Sequence, residues 1–258
     1  MTFDKKLGKS FKKVGKSYHI GRQEYPKGLI KDIIKISRIN KESLVLDVGC
    51  GTGKSTIPFA KTKSKIIGID ISKNMLNVAK MLSAKHKNIT YEQISYEKFA
   101  SPTSTFDLIL FGTSLHWLDS KVVYGKTNIL LKENGYMALF WEPIGSLCKA
   151  INLMGAEEIF VKYCPNYPKT PSPTNIPKKR KEEIIKSKLF AKPILKKYKF
   201  IQRCNLEEFL SLVSSYSWII SIDKKKKNQL IREVTTYLGK NAKLNFPTEM
   251  YLIMAKRK

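Results

Sequence analysis

The sequence predicts an α/β fold: a doubly wound, mostly parallel sheet of seven strands with an inserted helical lid. Three observations predict it. The apolar run Leu44-Val45-Leu46 feeds an acid and a glycine-rich loop, Asp47-Val48-Gly49-Cys50-Gly51-Thr52-Gly53. A second apolar run, Lys65 to Asp70, again ends in an acid. Beyond it, short apolar runs alternate with helical periodicity, as βα units around a buried parallel sheet do.

Composition bounds the rest. With 258 residues and 42% hydrophobic content, the chain can bury one sizeable core. A single domain over 1–258 is expected, with its core at 1–142 and 197–258 and a lid at about 143–196. No apolar run reaches the length of a membrane span, and the basic N-terminus has no signal-type apolar segment, so a cytoplasmic protein is expected. Cys50, Cys148, Cys164 and Cys204 form no C-x-x-C pair and read as reduced thiols, with no metal site. The formal charge of +27 invites a nucleic-acid reading, but only six of the 48 basic residues are arginine and the lysines run the whole length. A solvated surface is the preferred reading, and nucleic acid is possible but not favoured.

Taken in order, residues 1–17 form a basic amphipathic stretch expected to pack on its own domain. A helix is predicted from about Pro26 to Ser37, since proline suits a first turn. After the first strand, Ser55 to Lys61 reads as helical, with its free N–H groups aimed back at the loop. The ending Gly53-Lys54-Ser55-Thr56 imitates a phosphate loop, but that motif needs glycine where Val48 stands. The dinucleotide fingerprint fails likewise, needing its third glycine at Lys54 or Thr56. What remains is D-x-G-x-G-x-G, or a glycine turn with no ligand.

Lys65 to Asp70 is the second strand, and an acid at its tip is placed to accept the ribose hydroxyls of an adenosine group. Ser72 caps a helix to about Lys85, and Asn88 to Ile94 is the third strand. Phe106 to Phe111 is the fourth, delivering Ser114-Leu115-His116-Trp117-Leu118-Asp119 to the ligand edge. A helix from about Lys121 to Leu131 stops at Gly135, and strand five runs from Tyr136 to Trp141. The next stretch holds a helical piece (about Leu147 to Tyr163), a proline-punctuated segment and a charged helix, Lys178 to Leu189. Strands six and seven are expected at Tyr198 to Arg203 and Glu249 to Ala255. Helices at about Leu206 to Tyr216 and Lys224 to Leu238 separate them.

Asp47 through Gly53, together with Gly68-Ile69-Asp70-Ile71-Ser72 and Met75-Leu76, resembles the first two motifs of class I S-adenosylmethionine-dependent methyltransferases, whose fold is Rossmann-like. The segment Tyr18 to Pro26 and the string Ser-Leu-His-Trp-Leu-Asp resemble the small-molecule "type 11" group related to trans-aconitate methyltransferase. The resemblance covers nearly the whole chain, strongly to residue 142. It implies S-adenosylmethionine as cofactor and S-adenosylhomocysteine as product. Cofactor contacts are then implied at Tyr18, Arg22, Asp47, Gly49, Cys50, Gly51 and Gly53. Asp70, Ile71 and Met75 follow in the second motif, with Met75 against the adenine. Ser95, Tyr96, Glu97 and Phe111 follow at the next two strand ends. Ser95 departs from the family, which commonly has an acid there.

Tyr18, His116 and Trp117 are implied in the acceptor pocket, with His116 either a base or a loop-fixing residue. Sequences for nucleic-acid amino- or cytosine-C5-methylation are absent after strand four. The expectation is methyl transfer to a small-molecule acceptor, a carboxylate among the candidates, by proximity and alignment. A methyltransferase acting on RNA or protein through the basic surface, or a non-catalytic cofactor-binding protein, are the alternatives.

Overall fold

A computed structural model describes residue 19 and residues 21–168 and 176–258. The amphipathic stretch at 1–17, Tyr18 and much of the proline-rich segment lie outside the described residues.

Seven strands form one sheet in the order β3-β2-β1-β4-β5-β7-β6. They are β1 (Leu44–Val48), β2 (Lys65–Asp70), β3 (Ile89–Gln93), β4 (Phe106–Gly112), β5 (Leu131–Trp141), β6 (Ile194–Asn205) and β7 (Lys243–Lys256). β1 to β5 are parallel, while β7 runs antiparallel between β5 and β6. The helices are α1 (Lys27–Ser37), α2 (Lys73–Leu82), α3 (Ser120–Leu130), α4 (Ile144–Leu153), α5 (Glu157–Tyr163), α6 (Ile176–Ser187), α7 (Leu206–Ser214), α8 (Ser217–Ile220) and α9 (Lys224–Leu238).

The strands are apolar on both faces because both are covered. Val45, Leu108, Leu110, Phe140, Leu252 and Met254 point to one side, where α1 brings Leu29, Ile30 and Ile33. Their alternating neighbours Leu46, Ile109, Phe111, Leu139 and Ile253 point to the other, under Val123, Tyr124 and Leu130 from α3 and Ile184 from α6. A third cluster lies at the β6–β7 end of the sheet, where α4, α5, α7, α8 and α9 gather Leu147, Phe160, Phe209, Trp218 and Val234 against Leu244 and Phe246 of β7.

Several boundaries differ from the sequence reading. The helix expected after the glycine loop is a short 3-10 helix, Ile57–Thr62, with Pro58 in its first turn. The helical piece expected near 147–163 is two helices, broken where Gly155 adopts φ +70°. The charged helix, α6, starts earlier and buries Ile184 against the sheet, so this part of the expected lid belongs to the core layer. β6 and β7 are longer than expected and pair over their whole length, Ile194↔Met254 to Asn205↔Lys243.

Candidate active site

The glycine loop stands at the carboxyl edge of the parallel strands, where ligands bind in open α/β sheets. Gly49, Gly51 and Gly53 all have positive φ, at 67°, 55° and 83°, a region that favours glycine. At Gly49 a Cβ would meet the Ser114 Cβ at 2.6 Å, whereas at Gly51 it would meet nothing within 4 Å. Gly49 is therefore shaped by protein packing, while the backbone at Gly51 borders open space.

Two carboxylates fix the loop. Asp47 is fully buried, and its Oδ2 accepts hydrogen bonds from Ser55 Oγ and Thr56 Oγ1, each at 2.6 Å. Its Oδ1 is buried without a partner. Burial lifts its pKa to about 6 against the pull of the two hydroxyls. Asp47 was expected to contact the cofactor, but its side chain is sealed beneath the loop and holds the loop's far limb instead. Asp70, at the tip of β2, accepts from the Gly51 N–H at 2.9 Å and from the Ser72 N–H at 2.8 Å. It keeps partial solvent access. Burial raises its pKa, opposed by the backbone N–H groups of Ser72, Gly51 and Ile71.

Other expected contacts are sorted by burial. The Cys50 thiol is buried and pushed well up in pKa by burial, so Cys50 offers the edge its backbone alone. Met75, expected against the adenine, is buried, while Ile71 beside Asp70 is 51% exposed and is the accessible apolar side chain. Tyr96 is also core: its hydroxyl meets Thr127 Oγ1 at 2.8 Å and its ring stands edge-on to Phe111, centroids 5.7 Å apart. Phe111 is equally buried, so its side chain does not reach the ligand edge, while the contact expected of Tyr96 is through its backbone. The turn at Ser95 to Phe99 is held by Lys126 Nζ, which donates to the carbonyls of Tyr96, Glu97 and Phe99 at 2.6, 3.1 and 2.6 Å. Ser95 is half-buried and Glu97 exposed.

The segment before α1 crosses the loop as a strap. His19 Nδ1 lies 3.0 Å from Thr52 Oγ1, Lys54 Nζ pairs with Glu24 Oε1 at 2.7 Å, and Tyr25 Oη lies 3.1 Å from Thr113 Oγ1. Arg22 Nε donates to Ser215 Oγ at 3.1 Å, and its guanidinium lies 4.3 Å from the Tyr216 ring centroid. Between strap and loop opens a small cavity of about 50 Å³ lined by Arg22, Gln23, Gly49 to Thr52, Thr113 and Glu142.

The sequence reading missed Gln23, Thr113 and Glu142. The available signal for Glu142 was an acid directly after Trp141, the last residue of β5 at the ligand edge. Glu142 is buried, accepts from Thr248 Oγ1 at 3.3 Å, and has a raised pKa, from burial first.

His116 sits in a short 3-10 turn, Leu115–Trp117. Leu115 and Leu118 pack against the core on either side of it. Its ring is exposed and lies 4.7 Å from the Trp117 ring centroid, so the structure does not bury it as a loop-fixing residue. Its pKa is lowered, by desolvation first and then by the charges of Arg22 and Arg180, and solvent access keeps that shift smaller than dry burial would. Arg180, from α6, is itself anchored by Glu183 at 2.7 Å. His116 thus feels the charges of Arg22 and Arg180, residues far from it in the chain.

Residues 45–135 match the methyltransferase domain family. A Dictyostelium discoideum protein assigned as a methyltransferase is 31% identical over 161 residues, covering 62% of this chain and 57% of its own length. The Saccharomyces cerevisiae protein CRG1, assigned as an S-adenosylmethionine-dependent methyltransferase, is 31% identical over 140 residues, covering 52% and 46%. The chain thus spans about half the length of these two relatives, whereas a methyltransferase-like protein of Schizosaccharomyces pombe is 26% identical over 88% of this chain and 84% of its own. Among solved structures, Bacillus subtilis YcgJ superposes with a TM-score of 0.54 at 18% identity, over 90% of this chain and 99% of that one. Phosphoethanolamine N-methyltransferase 2 of Haemonchus contortus, in complex with phosphomonomethylethanolamine and S-adenosylhomocysteine, gives 0.56 at 15% identity, over 100% and 60%. Residues 45–135 are thus similar to a methyltransferase domain, and the chain shares its fold with Bacillus subtilis YcgJ and the Haemonchus contortus N-methyltransferase.

Proposed function

We propose that the protein transfers a methyl group from S-adenosylmethionine to a small, anionic acceptor. The observation that carries the cofactor is the pairing of Asp70 with the Gly51 N–H beside open space. One carboxylate fixes the loop and still reaches solvent, where it accepts ribose hydroxyls and repels a phosphate. Gly51 lets a ligand approach the backbone, and the buried, unpartnered Gln23 Nε2 in the same cavity awaits an acceptor atom. These residues fit the cofactor: Asp70 would hold the ribose, Ile71 would flank the adenine, and Arg22 would take the amino-acid carboxylate. S-adenosylmethionine, when bound, supplies a methyl group on a positively charged sulfur.

The chain's own part is to bind, orient and exclude water. With Arg22 given to the cofactor, the positive charge of Arg180, felt at His116, and the lysine-rich surface favour a negative acceptor such as a carboxylate. A carboxylate has no proton to lose on methylation, so His116, neutral at neutral pH, acts by hydrogen-bonding and orienting the acceptor.

Calorimetric titration with S-adenosylhomocysteine tests the cofactor, with micromolar binding expected. Asp70→Ala should weaken that binding by about 1–3 kcal/mol through loss of charge-assisted hydrogen bonds. Unchanged affinity would remove Asp70 from the ribose site.

A further inference from the structure

The tips of β2, β1, β4 and β5 present, in order, Asp70, the glycine loop, Thr113 and Glu142. Neighbouring strands lie about 4.8 Å apart, so the row spans about 14 Å, the length of one elongated ligand. Asp70 at one end is accounted for by the ribose. At the other end, Glu142 and Gln23 share a wall of the cavity facing Gly49 to Thr52, with Arg22 in the same lining.

This wall is unfinished as protein. Glu142 is a nearly buried carboxylate whose hydrogen bond from Thr248 is long, at 3.3 Å. The charge of Arg22, then Thr248 and the Gln23 side chain, steady the Glu142 carboxylate, while Gln23 Nε2 is buried short of good hydrogen-bond geometry to any acceptor. Buried polar groups are ordinarily satisfied, and a buried anion is costly unless a cation or strong donor meets it. The wall therefore asks for a ligand bearing both a donor and an acceptor. Arg22 and Glu142, of opposite charge and lining one cavity, are complementary to a zwitterion.

We infer that Glu142 and Gln23 bind the amino-acid end of the cofactor, Glu142 accepting from its α-ammonium group and the Gln23 amide donating to its carboxylate beside Arg22. This rests on the proposed use of S-adenosylmethionine and adds a selection rule to it. The site discriminates a complete adenosyl amino acid from an adenosyl thioether lacking the amino-acid group, and it does so at β5 rather than at the glycine loop.

The test compares calorimetric affinities for S-adenosylhomocysteine and for 5′-methylthioadenosine, which keeps the adenosine and sulfur but has no amino-acid group. Glu142→Gln should weaken S-adenosylhomocysteine by about tenfold or more, as loss of a hydrogen bond to a charged group does, and leave methylthioadenosine unchanged. Equal weakening of both ligands, or none, overturns the inference while leaving the cofactor in place. If the wild-type protein binds neither ligand, the cofactor reading itself falls and the inference with it.

Discussion

The ligand edge around β1 and β2 and the helical cover formed by α4, α5 and α7 to α9 are built by opposite means. The edge is directional and polar: Asp47 reaches Ser55 eight residues on, and Asp70 reaches back 19 residues to Gly51. The cover is apolar and non-directional, its cluster drawing on residues from Leu147 to Phe246. A hydrogen-bonded loop fixes atoms at ångström precision and so can read a ligand's charges. A hydrophobic cluster fixes volume and so can change its lining while keeping its shape.

The largest expected effect sets the two regions apart. Phe160, in α5, is fully buried against Tyr167 and Trp218, with ring centroids 6.1 and 6.0 Å away. Phe160→Ala should cost about 3–5 kcal/mol of stability in a urea titration while leaving S-adenosylhomocysteine affinity at temperatures where the protein stays folded. If the affinity collapses as well, edge and cover are one cooperative unit and the contrast fails.

The glycine loop divides next, within itself. Gly49→Ala combines a left-handed backbone with a 2.6 Å contact to the Ser114 Cβ, so about 2–4 kcal/mol of stability should be lost. Gly51→Ala has the same backbone problem but open space around the new methyl, so about 1 kcal/mol is expected, with ligand affinity bearing the larger loss. Thermal melts and calorimetry on the pair decide whether Gly51 is the ligand-facing glycine.

Asp47 sharpens the comparison through pH. Its pKa rises from 3.8 to about 6 on folding, so the folded state holds this proton more tightly than the unfolded chain. Its contribution to stability is therefore full below about pH 4 and is lost as pH rises through about 6. Relative to Asp47→Asn, the wild-type protein should gain about 2–3 kcal/mol between pH 7 and pH 4, measured by urea titration at each pH. A flat difference would mean that Asp47 is stabilised as a charge by its two hydroxyl donors.

The smallest change in stability is expected at His116. Because the ring is exposed, His116→Ala should stay within about 0.5 kcal/mol of wild type and leave cofactor affinity intact, with the loss confined to turnover on an anionic acceptor. Loss of stability would return His116 to a structural role.

The same contrast decides what could be read in advance. β2, the Ser72 cap and the alternation along β4 are local patterns, and each lies within a residue or two of its expected place. The burial of Asp47 was not legible, since a carboxylate sealed under its own loop and one facing a ligand have the same sequence. Arg22 and Ser215 are 193 residues apart, and no local pattern joins them. The two-sided helix break at Gly155 was hidden by apolar periodicity on both sides. β6 was underestimated because its lysines, exposed on an edge strand, look like the rest of a lysine-rich surface. In the cover, any large apolar side chain at helical spacing would read the same, so the acceptor's shape is the least legible part of the site.

The position of β7 between β5 and β6 has a consequence for biosynthesis. β6 emerges from the ribosome before β7, yet among the described residues its only strand partner is β7. Through the synthesis of some 40 residues, from Leu206 to Leu244, β6 waits with both edges unpaired, a state prone to wrong pairing. Its run of Lys196, Lys197, Lys199 and Arg203 keeps such a strand solvated and repels a second copy on a neighbouring nascent chain. The lysines of β6 would thus protect the growing chain before β7 arrives to pair with it.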